Sequence, residues 1–266
     1  MRSIVRCFRE FTFAGLQVGF YYRPFVCKSG ILSLFWPGCG QIKTIRVLHS
    51  GKKSVLLECI GRGDVRFVAK IGLDPIAKIE KEADSLWALS GIVGVPRCNS
   101  YGMSAFGPTL LMCGVGQTFS AAMLCRFPDG TDWSVSGFPV IVEIARCLVP
   151  VLQGMHARGF LHRDIAPDNF VWLPDEHRWQ LIDFGSTGKC NSKDRTFLVH
   201  SEFASDRLAF TTEPLSSEDD FDALARTLTF LLRQNRIARS TRWAADPVVI
   251  ELVAKLRGST SKEKCE

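Results

Sequence analysis

Leu161-His162-Arg163-Asp164-Ile165-Ala166-Pro167-Asp168-Asn169-Phe170, followed by Leu181-Ile182-Asp183-Phe184-Gly185, lies in a stretch of about residues 160–215 without helical periodicity. Loops of that length inside a compact domain are usually functional. The polar residues here are chemically selective. Asp164 and Asp183 are carboxylates and Asn169 is a neutral oxygen donor. Hard oxygen ligands suit Mg²⁺, which takes one or two carboxylates and keeps other positions for water and substrate phosphates. Upstream, Lys70 closes the apolar run Phe67-Val68-Ala69 and supplies a cation for such phosphates. Positioning groups, metal charge and a residue to orient an attacking hydroxyl are the parts that phosphoryl transfer requires.

The surrounding chain changes character once. Ile45–Leu48, Ser54–Leu57 and Val65–Ile71 are β-prone runs separated by the turn clusters Ser50-Gly51-Lys52-Lys53 and Gly61-Arg62-Gly63-Asp64. Asp74-Pro75 opens a helix, with Asp as N-cap and Pro at the first helical position. Ile76, Ile79, Ala83 and Leu86 form its apolar stripe. Ile92–Val95 and Leu110–Met112 suggest two more strands. The second half reads as helical. Val140–Ala157 is one helix, which Pro150 should kink or split, and Phe221–Leu232 is another. Asp246-Pro247 starts a third, with Val249, Leu252 and Leu256 on one face. The expected fold class is α+β.

The two quoted stretches resemble the catalytic loop and metal-binding loop of the eukaryotic protein kinase family. The order supports the resemblance: a strand lysine in Phe67-Val68-Ala69-Lys70, a glutamate-bearing helix, a hinge, then His-Arg-Asp and Asp-Phe-Gly. It covers roughly residues 44–235. Within the family the chain looks most like the casein-kinase-one-like group. That rests on Leu111-Met112-Cys113-Gly114-Val115-Gly116, the Asp-Ile-Ala-Pro-Asp-Asn-Phe form of the loop, and Asp219-Asp220-Phe221-Asp222-Ala223-Leu224. The resemblance implies a two-lobed domain over residues 43–258. Its sheet lobe with one helix is 43–112, its hinge 113–116 and its helical lobe 117–258, with a tail at 259–266.

Roles follow from the resemblance residue by residue. Asp164 orients the substrate hydroxyl and accepts its proton, and Asn169 and Asp183 hold Mg²⁺. Lys70 contacts the α- and β-phosphates of ATP and is steadied by a helix glutamate. Glu80 and Glu82 flank the apolar stripe equally well. The family pattern favours Glu82, four residues before Leu86. Gly51 belongs to the phosphate-covering loop, Met112 is the gatekeeper, and Cys113 to Val115 present backbone groups to adenine. Arg163 is available to a phosphorylated Ser186, Thr187, Ser192 or Thr196. His156 and His177 read as structural or exposed.

Four departures stand against the pattern. The phosphate-covering loop keeps only Gly51, with Lys52 and Lys53 beside it. Ala166 stands where serine/threonine kinases of this type carry a lysine, and losing one such donor costs on the order of 10²–10³ in rate. His200 and Ala204-Ser205-Asp206 replace the usual threonine and Ala-Pro-Glu. The chain ends at Glu266, before several closing helices of the family, so a truncated helical lobe and a partner covering it are expected. The expectation is a protein serine/threonine kinase of reduced rate. A nucleotide-binding pseudokinase or scaffold is the alternative, and a small-molecule phosphotransferase ranks last.

Composition narrows the remaining classes. Of 266 residues, 46% are hydrophobic and 23% charged, ordinary for a soluble globular chain. The ten cysteines occur singly, with no Cys-x-x-Cys pair. This argues against a zinc site or a secreted disulfide framework and fits buried free thiols in an intracellular, cytoplasmic setting. The net charge is +6, yet residues 1–58 hold nine Lys/Arg against Glu10 and Glu58. Positive charge is therefore concentrated at the front rather than across the domain, which argues against a nucleic-acid groove. Residues 1–42 read as a poorly ordered basic extension, with a transit peptide or surface-binding tail as the alternative. Arg23, Lys28 and Pro37 interrupt its apolar runs, so no transmembrane segment is expected.

Overall fold

In the computed structural model, residues 8–13, 16–21, 33–36, 40–51, 53–73, 77–104, 107–126, 133–192, 202–210, 212–233 and 245–262 are described. The chain is α+β and divides into two compact units, Met1–Trp87 with Arg97–Val115, and Ala88–Pro96 with Gly116–Glu266.

The first unit holds strands β1 (Phe8–Phe13), β2 (Leu16–Tyr21), β3 (Ser33–Trp36), β4 (Gly40–Ser50), β5 (Ser54–Ile60), β6 (Arg66–Gly72), β7 (Cys98–Ser104) and β8 (Gly107–Cys113), and helix α1 (Ala77–Ala88). β1 and β2 form a hairpin. The others make a six-stranded antiparallel sheet in the order β3-β4-β5-β6-β8-β7. Alternation sorts its faces. Val55, Leu57 and Cys59 of β5 and Phe67, Ala69 and Ile71 of β6 join Ile42 and Leu111 in one buried cluster. Val68, Lys70 and Gly72 fall on the opposite side of β6. There a Cβ on Gly72 would lie 2.7 Å from Ile79 of α1, so glycine lets the helix approach closely.

The second unit contains β9 (Gln117–Thr118), β10 (Phe160–Leu161), β11 (Phe170–Leu173), β12 (Arg178–Leu181) and β13 (Gly188–Lys189). Its helices are α2 (Phe119–Arg126), α3 (Trp133–Ala157), α4 (Asp206–Phe210), α5 (Ser217–Leu232) and α6 (Pro247–Lys262). Val140, Ile141, Ile144, Leu148, Val151, Leu152 and Met155 make α3 the buried spine of this unit. It packs against α5, α6 and β12. By length and composition Gly137–Ala157 would suffice to cross a membrane, but half of that apolar window is buried inside the unit, as in the core helix of a folded domain. α5 buries Phe221, Leu224, Leu228 and Leu231, and α6 buries Val249 and Val253. Arg126 lies 3.8 Å from the Trp172 ring centre and pairs with Glu143 of α3, tying α2 and β11 to the spine.

Several expectations are corrected here. Ile92–Val95 is a turn rather than a strand: Gly91 and Gly94 adopt φ of +87° and +95°, and a Cβ at Gly94 would collide with Val151. Residues 1–42 are not devoid of structure, since they carry β1, β2, β3 and the start of β4, and Ile42 is fully buried. The expected domain start at 43 therefore falls inside a strand. Pro150 does not split α3. Pro150 and Arg146, one turn earlier, are both exposed, so the interrupted hydrogen bond lies on the solvent side of the helix. The 160–215 stretch is not wholly irregular, because it includes α4 and four short strands. The helix opening at Asp74-Pro75 and the residues Lys52, Thr196 and His200 lie outside the described residues.

Candidate active site

In the first unit, β6 carries Lys70 between β5 and β8, opposite Leu56 and Leu110. α1 sits over the same face, with Ile79, Ala83 and Leu86 buried. This arrangement brings the Glu82 carboxylate to 2.7 Å from Lys70 Nζ. The pair is well shielded, with side-chain exposures of 12% for Lys70 and 2% for Glu82. Glu80 is exposed, so the structure selects between the two glutamates that spacing left open.

Met112 and Cys113 end β8, and Val115 closes the unit. The Cys113 N–H already donates to the Arg97 carbonyl at 3.0 Å, so that group is not available to a base. Gly114 turns the chain with φ of +93°. Gly51 sits in the β4–β5 turn, its N–H donating to Ser54 at 3.0 Å.

In the second unit, an antiparallel hairpin creates the other cluster. Phe170 of β11 faces Leu181 of β12, and the Ile182 N–H donates to the Asn169 carbonyl at 3.0 Å. Asn169 at the start of one strand and Asp183 beyond the end of the other are thereby brought to the same end of the hairpin. Asn169 is largely buried, and its Nδ2 donates to the Asp164 carbonyl at 2.8 Å. That bond fixes the amide so that Oδ1 is its remaining polar atom. A carboxylate and an amide oxygen fit Mg²⁺ chemically. No cluster of three His, Cys, Asp or Glu able to hold a metal occurs among the described residues.

Asp183 has φ of +62° and Arg163 +69°, unusual for residues with a side chain. Such geometry persists only where neighbours over-determine it, and it clusters at functional sites. The neighbours are visible. Asp220, near the start of α5, accepts the His162 N–H at Oδ2 and the Arg163 N–H at Oδ1, both at 2.9 Å. His156 Nε2 lies 2.8 Å from the same Oδ2. Burial alone would push the Asp220 carboxyl up. The hydrogen bond and charge of His156, with the Arg163 N–H and His162, outweigh it and hold the carboxyl below its ordinary value. Two turns along α5, Thr227 donates to the Ile165 carbonyl at 2.9 Å. The His162 ring packs edge-on to Phe184 at 4.9 Å.

Arg163 is 4% exposed, and its guanidinium donates to the Lys189 carbonyl at 2.9 Å. A Cβ at Gly188 would fall on that guanidinium. Ser186 and Thr187 are 4% and 1% exposed. The expectation that Arg163 awaits a phosphate on either of them is therefore corrected, because those hydroxyls are closed off. Ala166 is extended and its carbonyl accepts the Asn169 N–H at 3.0 Å.

Nothing in the sequence marks Asp220, Thr227 or Gly188 as site residues, while the contact of His156 with Asp220 agrees with its reading as structural. Asp220 was noted only within a motif, and nothing in its spacing marks a carboxylate that accepts two loop amides. The free thiols are likewise less buried than expected. Among the described ones only Cys59 is buried, while Cys125 is exposed. Burial pushes the Cys59 thiol up to about 11.

No protein-family model matches the chain. Curated proteins do. Casein kinase I homolog 2 of Saccharomyces cerevisiae is 29% identical over 103 residues, 36% of this chain and 17% of that protein. The chain is similar to casein kinase I proteins. Casein kinase I homolog RAG8 of Kluyveromyces lactis is 24% identical over 190 residues, 65% of this chain and 34% of that protein. Casein kinase 1-like protein HD16 of Oryza sativa subsp. japonica is 29% identical over 171 residues, 54% and 22% respectively. The chain thus spans about a third or less of the length of these relatives. The matches support a casein-kinase-I-like protein kinase family at low identity and partial coverage.

Proposed function

We propose that this chain is a protein kinase that transfers the γ-phosphate of ATP to serine or threonine hydroxyls of proteins, at reduced rate. The observation that carries the reading is the shielded Lys70–Glu82 pair, in a chain similar to casein kinase I proteins. A buried pair is weak evidence for stability, but a lysine so held is a fixed cation ready for phosphates. In this reading Lys70 meets the α- and β-phosphates, with Gly51 in the covering turn, and Met112, Cys113 and Val115 bound the adenine. Asn169 and Asp183 would hold Mg²⁺, which supplies positive charge to the phosphate oxygens when bound. Asp164 orients the acceptor hydroxyl and takes its proton.

Ala166 favours the second reading, a nucleotide-binding pseudokinase, since it removes one cation from the transferring group. We retain the slow kinase because Asp164, Asn169 and Asp183 are all present. An intracellular setting and a protein partner for the helical unit belong to the same proposal. Addition of Mg-ATP to purified protein should raise its melting temperature. Asp183→Asn should lose the magnesium-dependent part of the rise, and ATP with chelator should give little. The absence of any shift with wild type would remove both readings, whereas a shift without turnover would favour the pseudokinase.

A further inference from the structure

We propose that His49, beside the β4–β5 turn, is a phosphate-binding residue of the nucleotide site, its imidazole donating to the polyphosphate of ATP. The inference rests on the kinase reading above and deepens it.

Strand pairing places the residue. His49 of β4 lies opposite Leu56 of β5, and Leu56 lies opposite Lys70 of β6. Paired residues of antiparallel strands share a face, so His49 and Lys70 stand on the same side of the sheet, two strand spacings or about 10 Å apart. The other side holds Val55, Leu57 and Ala69 in the buried cluster. One face of the unit thus carries a held cation and an imidazole with Leu56 between them.

The imidazole runs along its strand toward the turn. A Cβ on Gly51 would lie 2.8 Å from His49 Nε2, so the ring rests against the bare α-carbon of the turn. The turn itself is tied down, because the Lys53 carbonyl accepts the Leu73 N–H at 2.8 Å, just beyond the end of β6. Glycine-rich loops cradle phosphates with backbone N–H groups. Here the Gly51 N–H is already given to Ser54, and a side chain covers the glycine. His49 is exposed, and no hydrogen bond or ion pair engages it among the described residues. The carboxylates on this face are already matched, Glu58 with Arg46 and Arg66, and Glu82 with Lys70. An N–H donor therefore remains for an anion. Neutral imidazole carries one such donor and imidazolium two, so the role does not depend on titration.

The test uses the full chain with His49→Phe, which keeps a ring over Gly51 but no donor, and His49→Gln, which keeps a donor. Binding of Mg-ATP and of adenosine, which has no phosphates, is measured by calorimetry beside the transfer rate. A hydrogen bond to a charged acceptor is worth about 10-fold in affinity, so His49→Phe should weaken Mg-ATP by that factor and leave adenosine unchanged. His49→Gln should recover most of the loss. In wild type, the imidazole ¹⁵N resonances of His49 should move with Mg-ATP and stay in place with adenosine. Undiminished Mg-ATP affinity in folded His49→Phe, a loss shared by adenosine, or unmoved imidazole resonances would overturn the proposal. Wild type that binds Mg-ATP without turnover would defeat the kinase reading alone, with the affinities still deciding the role of His49. Wild type that binds no Mg-ATP would defeat both.

Discussion

Lys70 and Glu82 carry a direct consequence for stability. Glu82 is almost wholly enclosed, and removing its cation leaves a buried carboxylate uncompensated. Lys70→Met should therefore destabilise the protein by about 3–5 kcal/mol, measured from the shift in urea midpoint at unchanged slope. Lys70→Met with Glu82→Leu should recover most of that loss, because an apolar pair carries no buried charge. Single residues were legible where one side chain carries the chemistry. Asp164, Asn169, Asp183 and Lys70 stand out as types at particular spacings. Spacing alone did not separate Glu82 from Glu80, since both flank the stripe; the resemblance favoured Glu82, and it is Glu82 that pairs with Lys70. Asp220 was not legible as a site residue, because it accepts from the backbone amides of His162 and Arg163, which leave no mark in a sequence.

At the scale of elements, alternation and helical spacing found most of the strands and helices that hold the site. The misses have local causes. Ile92–Val95 looks like a strand by composition, but two left-handed glycines bend it into a turn lying on α3. Pro150 looks like a break, yet its lost hydrogen bond faces solvent. The hairpin β11–β12 was hidden inside a region read as a single loop, because four-residue strands show little periodicity. β9 joins that hairpin opposite Val171 and Trp172, directly after Gly116. A Cβ at Gly116 would come within 2.6 Å of the Val171 Cβ and 3.2 Å of the Trp172 carbonyl. Neither is the loose end of a side chain, so Gly116→Ala should overpack the junction and cost about 1–3 kcal/mol. Amide exchange should speed up in β9 and β11 of that variant and remain unchanged in α6.

For the whole molecule, the α+β class was legible from the switch between β-prone runs and long amphipathic helices. The leading residues were not, since a basic, aromatic, acid-poor segment reads as an unstructured extension, whereas β3 pairs with β4 and Ile42 enters the core. The ordered set of motifs agrees with the similarity to casein kinase I proteins, and Ala166 sets the expected pace of the reaction. The most direct test is transfer of labelled γ-phosphate from Mg-ATP to a protein substrate by purified wild type, Asp164→Asn and Ala166→Lys. Slow labelling by wild type, none by Asp164→Asn, and a rate raised on the order of 10²-fold by Ala166→Lys are predicted. Labelling that persists undiminished in Asp164→Asn, or no labelling by wild type and Ala166→Lys alike, would contradict the account.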